Sequence, residues 1–338
     1  MKRLGGLFER VTSFENLLVA AHRACRGKKD KADVGRFYFS METEILRLQT
    51  ELIDGSYQPK PYRQFEIKEP KVRQIFCSDF LDRVVHHAIC NVLGPIFEAR
   101  LIHHTYACRT GKGSHRAINT CQSFVRKSAY YLKCDFAKYF ESIDSTVLKS
   151  MLARIIKDQK FLSLINRIID HQIPTTPNGK GLPIGNLTSQ YFANYYLCAF
   201  DKKLESSPGV NGYVRYMDDF ITFSDSKGAL RSLLDEIRAS AQSTLKLSLK
   251  EKVTTLAPVS EGVAFLGFRI YPATIRIQRS NLNRLRKKVR LLEKLQREGV
   301  IAQGDLEISV RSMVAHVQRS DSKEIRREIF RTSLILGG

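Results

Sequence analysis

A chain of 338 residues has room for one large core or for two to three subdomains that share cores. Its 43% hydrophobic and 26% charged residues are those of a folded globular protein, with no low-complexity stretch and no internal repeat. The sign of the charge is unusual: 55 Lys+Arg against 34 Asp+Glu leave +21, which points to a polyanionic partner such as nucleic acid. Seven cysteines include no C-x-x-C pair, so neither a disulfide framework nor a zinc site is indicated, and a reducing compartment is expected. The start, MKRLGGLFERVTSF, has no signal-peptide pattern, and no apolar run reaches membrane-spanning length. The expected location is the cytoplasm, with no membrane partner.

In chain order, residues 7–55 carry apolar positions near a 3.6 period and read as helical, interrupted by a basic loop within 21–33. Residues 62–80 alternate in two short runs around Glu69-Pro70 and read as a β-hairpin. Helical spacing returns over 81–99. AYYLKCDF (129–136) reads as a short strand with Asp135 near its end. Residues 145–171 read as helix, 173–186 as a Pro/Gly/Asn-rich loop, and 187–200 as a packed helix. YVRYMDDFITFS (213–224) has two β-rich arms around Met217-Asp218-Asp219. A helix over 227–246 precedes AFLGFRIYP (264–272), and a subdomain boundary falls near 272–279. From Ser280, Leu282, Leu285, Val289, Leu292 and Leu295 form a narrow apolar stripe among Arg and Lys, with Ser280 as expected N-cap and Gly299 as C′ residue. Two further helical stretches follow, around 306–318 and 321–335.

Adjacent aspartates at a tight turn between core-strand arms are costly through mutual repulsion unless a cation neutralises them. Asp-Asp alone is more often an ordinary exposed turn. The apolar arms change that reading, and Asp135 at the end of another strand supplies a third carboxylate. Three carboxylates on neighbouring strands can hold two Mg²⁺ ions about 3.5–4 Å apart, the arrangement that phosphoryl transfer uses.

The ordered series Asp135, Tyr216-Met217-Asp218-Asp219, Leu249-Lys250-Glu251-Lys252 and Phe265-Leu266-Gly267-Phe268 resembles the motifs of reverse transcriptases over about residues 60–270. Within that family, Gly181-Leu182-Pro183-Ile184-Gly185-Asn186-Leu187-Thr188-Ser189-Gln190, with Ile184 in place of the usual Gln and Gln190 in place of Pro, is similar to the enzymes of diversity-generating retroelements. Glu69-Pro70-Lys71-Val72-Arg73 and Tyr106-Ala107-Cys108-Arg109 match that group as well.

The resemblance implies an α+β right hand: helical residues 1–60, fingers and a ferredoxin-like palm with an antiparallel sheet over 61–275, and a basic helical thumb over 276–338. It implies an RNA-directed DNA polymerase with Asp135, Asp218 and Asp219 as catalytic metal ligands, the Phe136 backbone beside them, and two Mg²⁺ ions for which Mn²⁺ can substitute. Lys71 and Arg73 would fold over the triphosphate of the incoming dNTP, Arg as a bidentate fork. Phe136 and Ala137 would offer it backbone N–H groups. Phe140 would exclude a ribose 2′-hydroxyl, and Ile184, Gln190 and Lys252 would lie near the nucleotide. The implied partners are template RNA, the RNA–DNA duplex held by the thumb, and a small helical accessory protein. The implied biology is cDNA synthesis with errors mainly opposite template adenines.

Isoleucine at 184 packs but neither donates nor accepts, and one or two lost hydrogen bonds are worth about 1–3 kcal/mol of positioning. A role for Ile184 in low fidelity follows, set against a plain core contact. Thr110–Ser114 lacks the spacing of a phosphate-binding loop, and Arg109 with Lys112 reads as a template-strand or RNA contact. The pairs His86-His87 and His103-His104 read as packing or RNA contacts, since neighbours do not share a helix face. Two alternatives stand beside this reading: another reverse transcriptase class (retron, group II intron-like or phage-defence), and a catalytically silent RNA-binding protein.

Overall fold

The computed structural model describes residues 3–324 apart from 69–71, 172, 174–175, 178 and 319, together with Arg327 and Ile329. Four helices open the chain: Leu7–Thr12, Phe14–Cys25, Ala32–Phe39 and Met41–Asp54. Ser13 starts the second by accepting the Asn16 N–H, and Gly55, in the left-handed region, ends the fourth. The hairpin expected over 62–80 is present as β1 (Arg63–Ile67) and β2 (Arg73–Cys77), paired from Arg63↔Cys77 to Ile67↔Arg73. Its tip, with Lys71, lies outside the described residues.

Strand β3 (Tyr130–Asp135) ends at the carboxylate anticipated there. Residues 145–171 are helical as expected, in two helices, Ser145–Ala153 and Gln159–Ile169. Between them Ile156 pairs with Leu4, and the N-cap of the second helix is Asp158. One of its oxygens accepts the Phe161 N–H at the start of the second helix, and the other accepts the N–H groups of Leu7 and Phe8. One carboxylate thus caps two helices that are far apart in the chain. The 187–200 segment likewise divides, into Leu187–Tyr196 and Cys198–Glu205.

β4 (Gly212–Tyr216), β5 (Asp219–Ser224) and β6 (Thr255–Pro258) complete a sheet in the order β4-β5-β3-β6, antiparallel throughout. Both faces are covered, so β5 is buried from Phe220 to Ser224 without alternation. One face joins Leu132, Cys134, Tyr213 and Phe220 to the helices, including Leu17, Leu48 and Leu93. Residues 1–60 therefore share a core with the palm, and the boundary expected at 60 does not separate two cores. The other face sets Tyr131, Val214, Ile221 and Phe223 against Phe265 and Phe268 of a small sheet, β7 (Val263–Phe265), β8 (Phe268–Ile270) and β9 (Ile275–Ile277).

The C-terminal helices Arg279–Arg297 and Gln303–Val317 hold a third core around Val289, Leu306 and Val310. The first begins one residue before Ser280, with Gln278 at its N-cap position, because the Gln278 N–H is fixed to Gly267 O. Gly299 takes the expected left-handed conformation. This is the right hand anticipated from the sequence: a fingers hairpin, an antiparallel palm and a helical thumb. Among the described residues no helix is long and apolar enough to cross a membrane, and all seven cysteines are unpaired.

Candidate active site

Strand register brings the carboxylates together. Asp135 is the direct cross-strand partner of Asp219, so their Cβ atoms leave the same face of the sheet. Asp218 sits in the turn between β4 and β5, which closes through Met217 at φ 59°. Burial pushes the Asp218 carboxyl up and the Asp135 charge adds to the rise, while Lys250 and Arg73 oppose it. Burial pushes Asp219 up to about 6 against the pull of Lys133, with Asp135 and Asp218 adding to the rise.

Two lysines restrain this anionic cluster. Lys133 lies two residues before Asp135 on the same face of β3. Its ammonium donates to Asp219 Oδ2 at 3.0 Å and to the Ala264 carbonyl of β7 at 2.7 Å. Lys250 approaches Asp135 Oδ2 at 3.7 Å, and its N–H donates to Asp135 O at 2.8 Å. One oxygen each of Asp135 and Asp219 is buried without a hydrogen-bond partner. Among the described residues no trio of His, Cys, Asp or Glu is already drawn to metal-binding spacing. The donor set nonetheless suits a hard divalent cation: oxygen ligands only, mutually repelling, two with unmet bonding capacity.

The lysine expected near the nucleotide was Lys252. The structure places Lys250 at the cluster instead. Strand-like pairing of Phe136 with Leu249 fixes Lys250 beside Asp135, and the 3₁₀ turn Glu251–Val253 leaves Lys252 exposed. The same pairing engages the Ala137 N–H, which donates to Ser248 O at 2.9 Å. Ala137 does not present that N–H to a phosphate, contrary to the sequence reading. The Phe136 ring packs among Tyr139, Phe200 and Phe220, so any role at the site belongs to its backbone.

Phe140 is half-buried with its edge to Tyr139, and its carbonyl accepts the Leu182 N–H at 2.7 Å. That contact sets the 181–186 loop beside it. The half-buried Ile184 accepts the Phe76 N–H of β2 at 2.9 Å through its carbonyl. Gly185 is at φ +120°, and a Cβ there would come within 2.9 Å of Ile75 and 3.2 Å of the Phe76 carbonyl. The fingers hairpin is thereby seated on this loop, with Arg73 close enough for its charge to act on Asp218. Gln190 turns to the opposite loop, its side-chain carbonyl accepting from the Cys108 thiol at 3.4 Å.

Arg109 does not serve as an exposed RNA contact. Its guanidinium pairs with Glu98 at 2.6 Å and donates to the carbonyls of Ile102 and Thr105, stapling its own loop. Lys112 donates to the His103 carbonyl at 2.8 Å. His86 is buried and burial pushes its pKa down to about 3; His104 pairs with Glu205 at 3.0 Å. On the other side of the site the Leu266-Gly267 turn borders a groove of about 860 Å³ lined also by Lys68, Arg284, Lys287 and Leu291. Asn281 ties that turn to the thumb helix by donating to Gly267 O at 2.9 Å.

Sequence reasoning missed Lys133, Lys250 and the buried Arg215. A signal existed for two of them: a charged residue inside the apolar runs of β3 and β4 demands a partner.

A paired strand end and hairpin tip bearing three carboxylates thus lie between a hairpin on one side and a basic groove on the other, within a fold of the right-hand polymerase class. The family model described as reverse transcriptase (RNA-dependent DNA polymerase) matches residues 59–270, more than half of the chain, and the chain belongs to that family. It is an enzyme of the RNA-directed DNA polymerase class. Protein YkfC of Escherichia coli K12 is 25% identical over 276 residues, covering 68% of this chain and 71% of that one. The group II intron-encoded protein LtrA of Lactococcus lactis subsp. cremoris is 23% identical over 320 residues, covering 74% of this chain and 52% of LtrA. Telomerase from Candida albicans shares the fold with a TM-score of 0.50 at 10% identity, covering 69% of this chain and 51% of that one. The chain thus spans about half the length of LtrA and of that telomerase.

Proposed function

We propose that the chain copies a template RNA into cDNA, adding deoxynucleotides to a primer 3′ end at Asp135, Asp218 and Asp219. The observation that carries this reading is the direct pairing of Asp135 with Asp219, with one unpartnered buried oxygen on each. These residues would hold two Mg²⁺ or Mn²⁺ ions, with the Phe136 carbonyl adjoining. Such ions activate the primer hydroxyl and offset charge on the leaving pyrophosphate.

The chain's own side chains do the positioning. Lys250 restrains Asp135, and Lys133 holds Asp219 against β7. Arg73 faces the triphosphate as a bidentate donor, and Lys71 is assigned to the same triphosphate. Phe140 stands under the sugar and Ile184 packs beside it. The groove between the Leu266-Gly267 turn and the thumb helix takes the template–primer backbone, where Arg284 and Lys287 meet phosphates. On this reading the enzyme works in the cytoplasm of a bacterial or phage-infected cell, a setting with which the seven free cysteines agree.

A proton on Asp219 competes with cation binding. Its folded-state pKa is raised, so the folded chain holds that proton more tightly than the unfolded one. The charged form then costs stability at neutral pH, a cost that disappears as pH falls through about 6. The expected result is a Mg²⁺-induced rise in Tm that is full at pH 7.5 and shrinks below pH 6. A rise that is the same at pH 7.5 and pH 5 would count against cation binding at this site.

The finer reading is an error-prone enzyme of a diversity-generating retroelement, served by a small helical accessory protein. The Ile184–Gln190 segment supports it. The similarity to LtrA favours a second reading, a group II intron-like enzyme. Sequencing cDNA made from a defined RNA separates them: errors concentrated opposite adenine support the first, an even and low spectrum the second. On the first reading Ile184→Gln lowers misincorporation opposite adenine by about tenfold, from one or two regained hydrogen bonds. An unchanged error spectrum would remove Ile184 from the account of fidelity.

A further inference from the structure

Arg215 is fully buried in β4 among apolar residues, paired with an equally buried Asp201. A buried ion pair is weak evidence for stability, because an apolar pair of similar volume often does as well. What the guanidinium does here that no apolar side chain can do is bind backbone at the hairpin tip. Nη1 donates to Met217 O at 2.8 Å and to Asn194 Oδ1 at 3.0 Å. Nε and Nη2 form a fork on Asp201 at 2.7 and 2.6 Å, and Nη2 also reaches Asn194 O at 3.2 Å. The frame is anchored in turn: Tyr213 donates to Asp201 at 2.7 Å, and Asn194 donates to Ala107 O at 2.9 Å.

Met217 opens the turn that delivers Asp218, and it does so at φ 59°, a conformation that a residue with a side chain keeps only where its surroundings over-determine it. The Arg215 backbone is fixed on its other edge, donating to His104 O and accepting from the Tyr106 N–H, both at 3.0 Å. That edge belongs to the loop that Arg109 staples.

We infer that Arg215 is a positioning residue for nucleotidyl transfer. With Asp201 and Asn194 it locks the Met217 turn so that Asp218 and Asp219 meet Asp135 in one fixed geometry. It touches neither substrate nor cation. The inference rests on the reading of the three carboxylates as the active site.

The test compares wild type, Arg215→Lys and the pair Asp201→Leu with Arg215→Met, in steady-state dNTP incorporation on an RNA template and in thermal melting. Lysine keeps the charge opposite Asp201 but cannot also reach Met217 O and both Asn194 acceptors. The expected result is a variant that still melts cooperatively, with kcat lowered about 100-fold, a KM for dNTP little changed and a raised Mg²⁺ midpoint. The double variant is expected to recover thermal stability through apolar packing without recovering kcat. Wild-type kcat and Mg²⁺ midpoint in either folded variant would overturn the inference, because a merely structural ion pair predicts that outcome for the double variant. Asp218→Asn runs alongside: if it remains active, the site reading itself is wrong, whereas an inactive Asp218→Asn with a fully active Arg215→Lys refutes only the role of Arg215.

Discussion

Asp218→Asn and Asp135→Asn are each expected to lower dNTP incorporation by about 10³-fold or more, corresponding to about 4 kcal/mol of lost transition-state stabilisation. Asparagine keeps the size of the side chain and its place in the turn or strand, so the fold is retained. It removes an anionic oxygen that would hold a cation, at or beside the place where Asp135 and Asp219 meet across a strand pair. The same variants should lose most of the Mg²⁺-induced rise in Tm while their Tm in EDTA stays equal to or above that of the wild type, since one of the mutually repelling charges is gone. Single-nucleotide extension of a primed RNA, with melting in Mg²⁺ and in EDTA, checks both. Incorporation within a small factor of wild type would dismiss the carboxylates as the catalytic centre.

Asp201→Ala is expected to cost about 3–5 kcal/mol of folding stability, the cost of leaving a buried cation without its counter-charge. Both partners have no exposed side-chain surface, and Arg215 has no route to water. Tyr213 loses the acceptor for its hydroxyl as well. Urea denaturation followed by circular dichroism measures the change. A loss under about 1 kcal/mol, the scale of a surface pair, would mean that the site is wetter than its burial indicates. The pair Asp201→Leu with Arg215→Met should recover much of the loss.

The carboxylate triad was legible because its members sit where strand pattern changes to turn, an interruption of apolar residues visible along the chain. The hairpin with Arg73 and the strand ending at Asp135 were legible for the same reason: alternation is a local property. Lys250 and Lys252 could not be ranked that way. They are two residues apart and would share a strand face, and only the pairing of Leu249 with Phe136 followed by a 3₁₀ turn assigns Lys250 to the cluster. Ala137 failed for a related reason, since its N–H is engaged by Ser248, more than a hundred residues away. Arg109 looked like a nucleic-acid contact because it is basic and near Gly111 and Gly113; its pairing with Glu98 is visible only once the loop is folded. The helical character of 145–171 was legible from its apolar spacing, but not that Asp158, the N-cap of its second helix, also accepts the N–H groups of Leu7 and Phe8.

The amino-acid sequence alone determined the chemistry: which side chains carry negative charge between apolar strands, how basic the chain is, and in what order the motifs run. Those follow from composition and short-range periodicity, which need no folded neighbour. Tertiary structure decided which cations answer those charges, with Lys133 and Lys250 at the cluster and Arg215 beneath it. An ion pair across strands depends on register and burial, and both are set by contacts between segments that the linear order keeps apart.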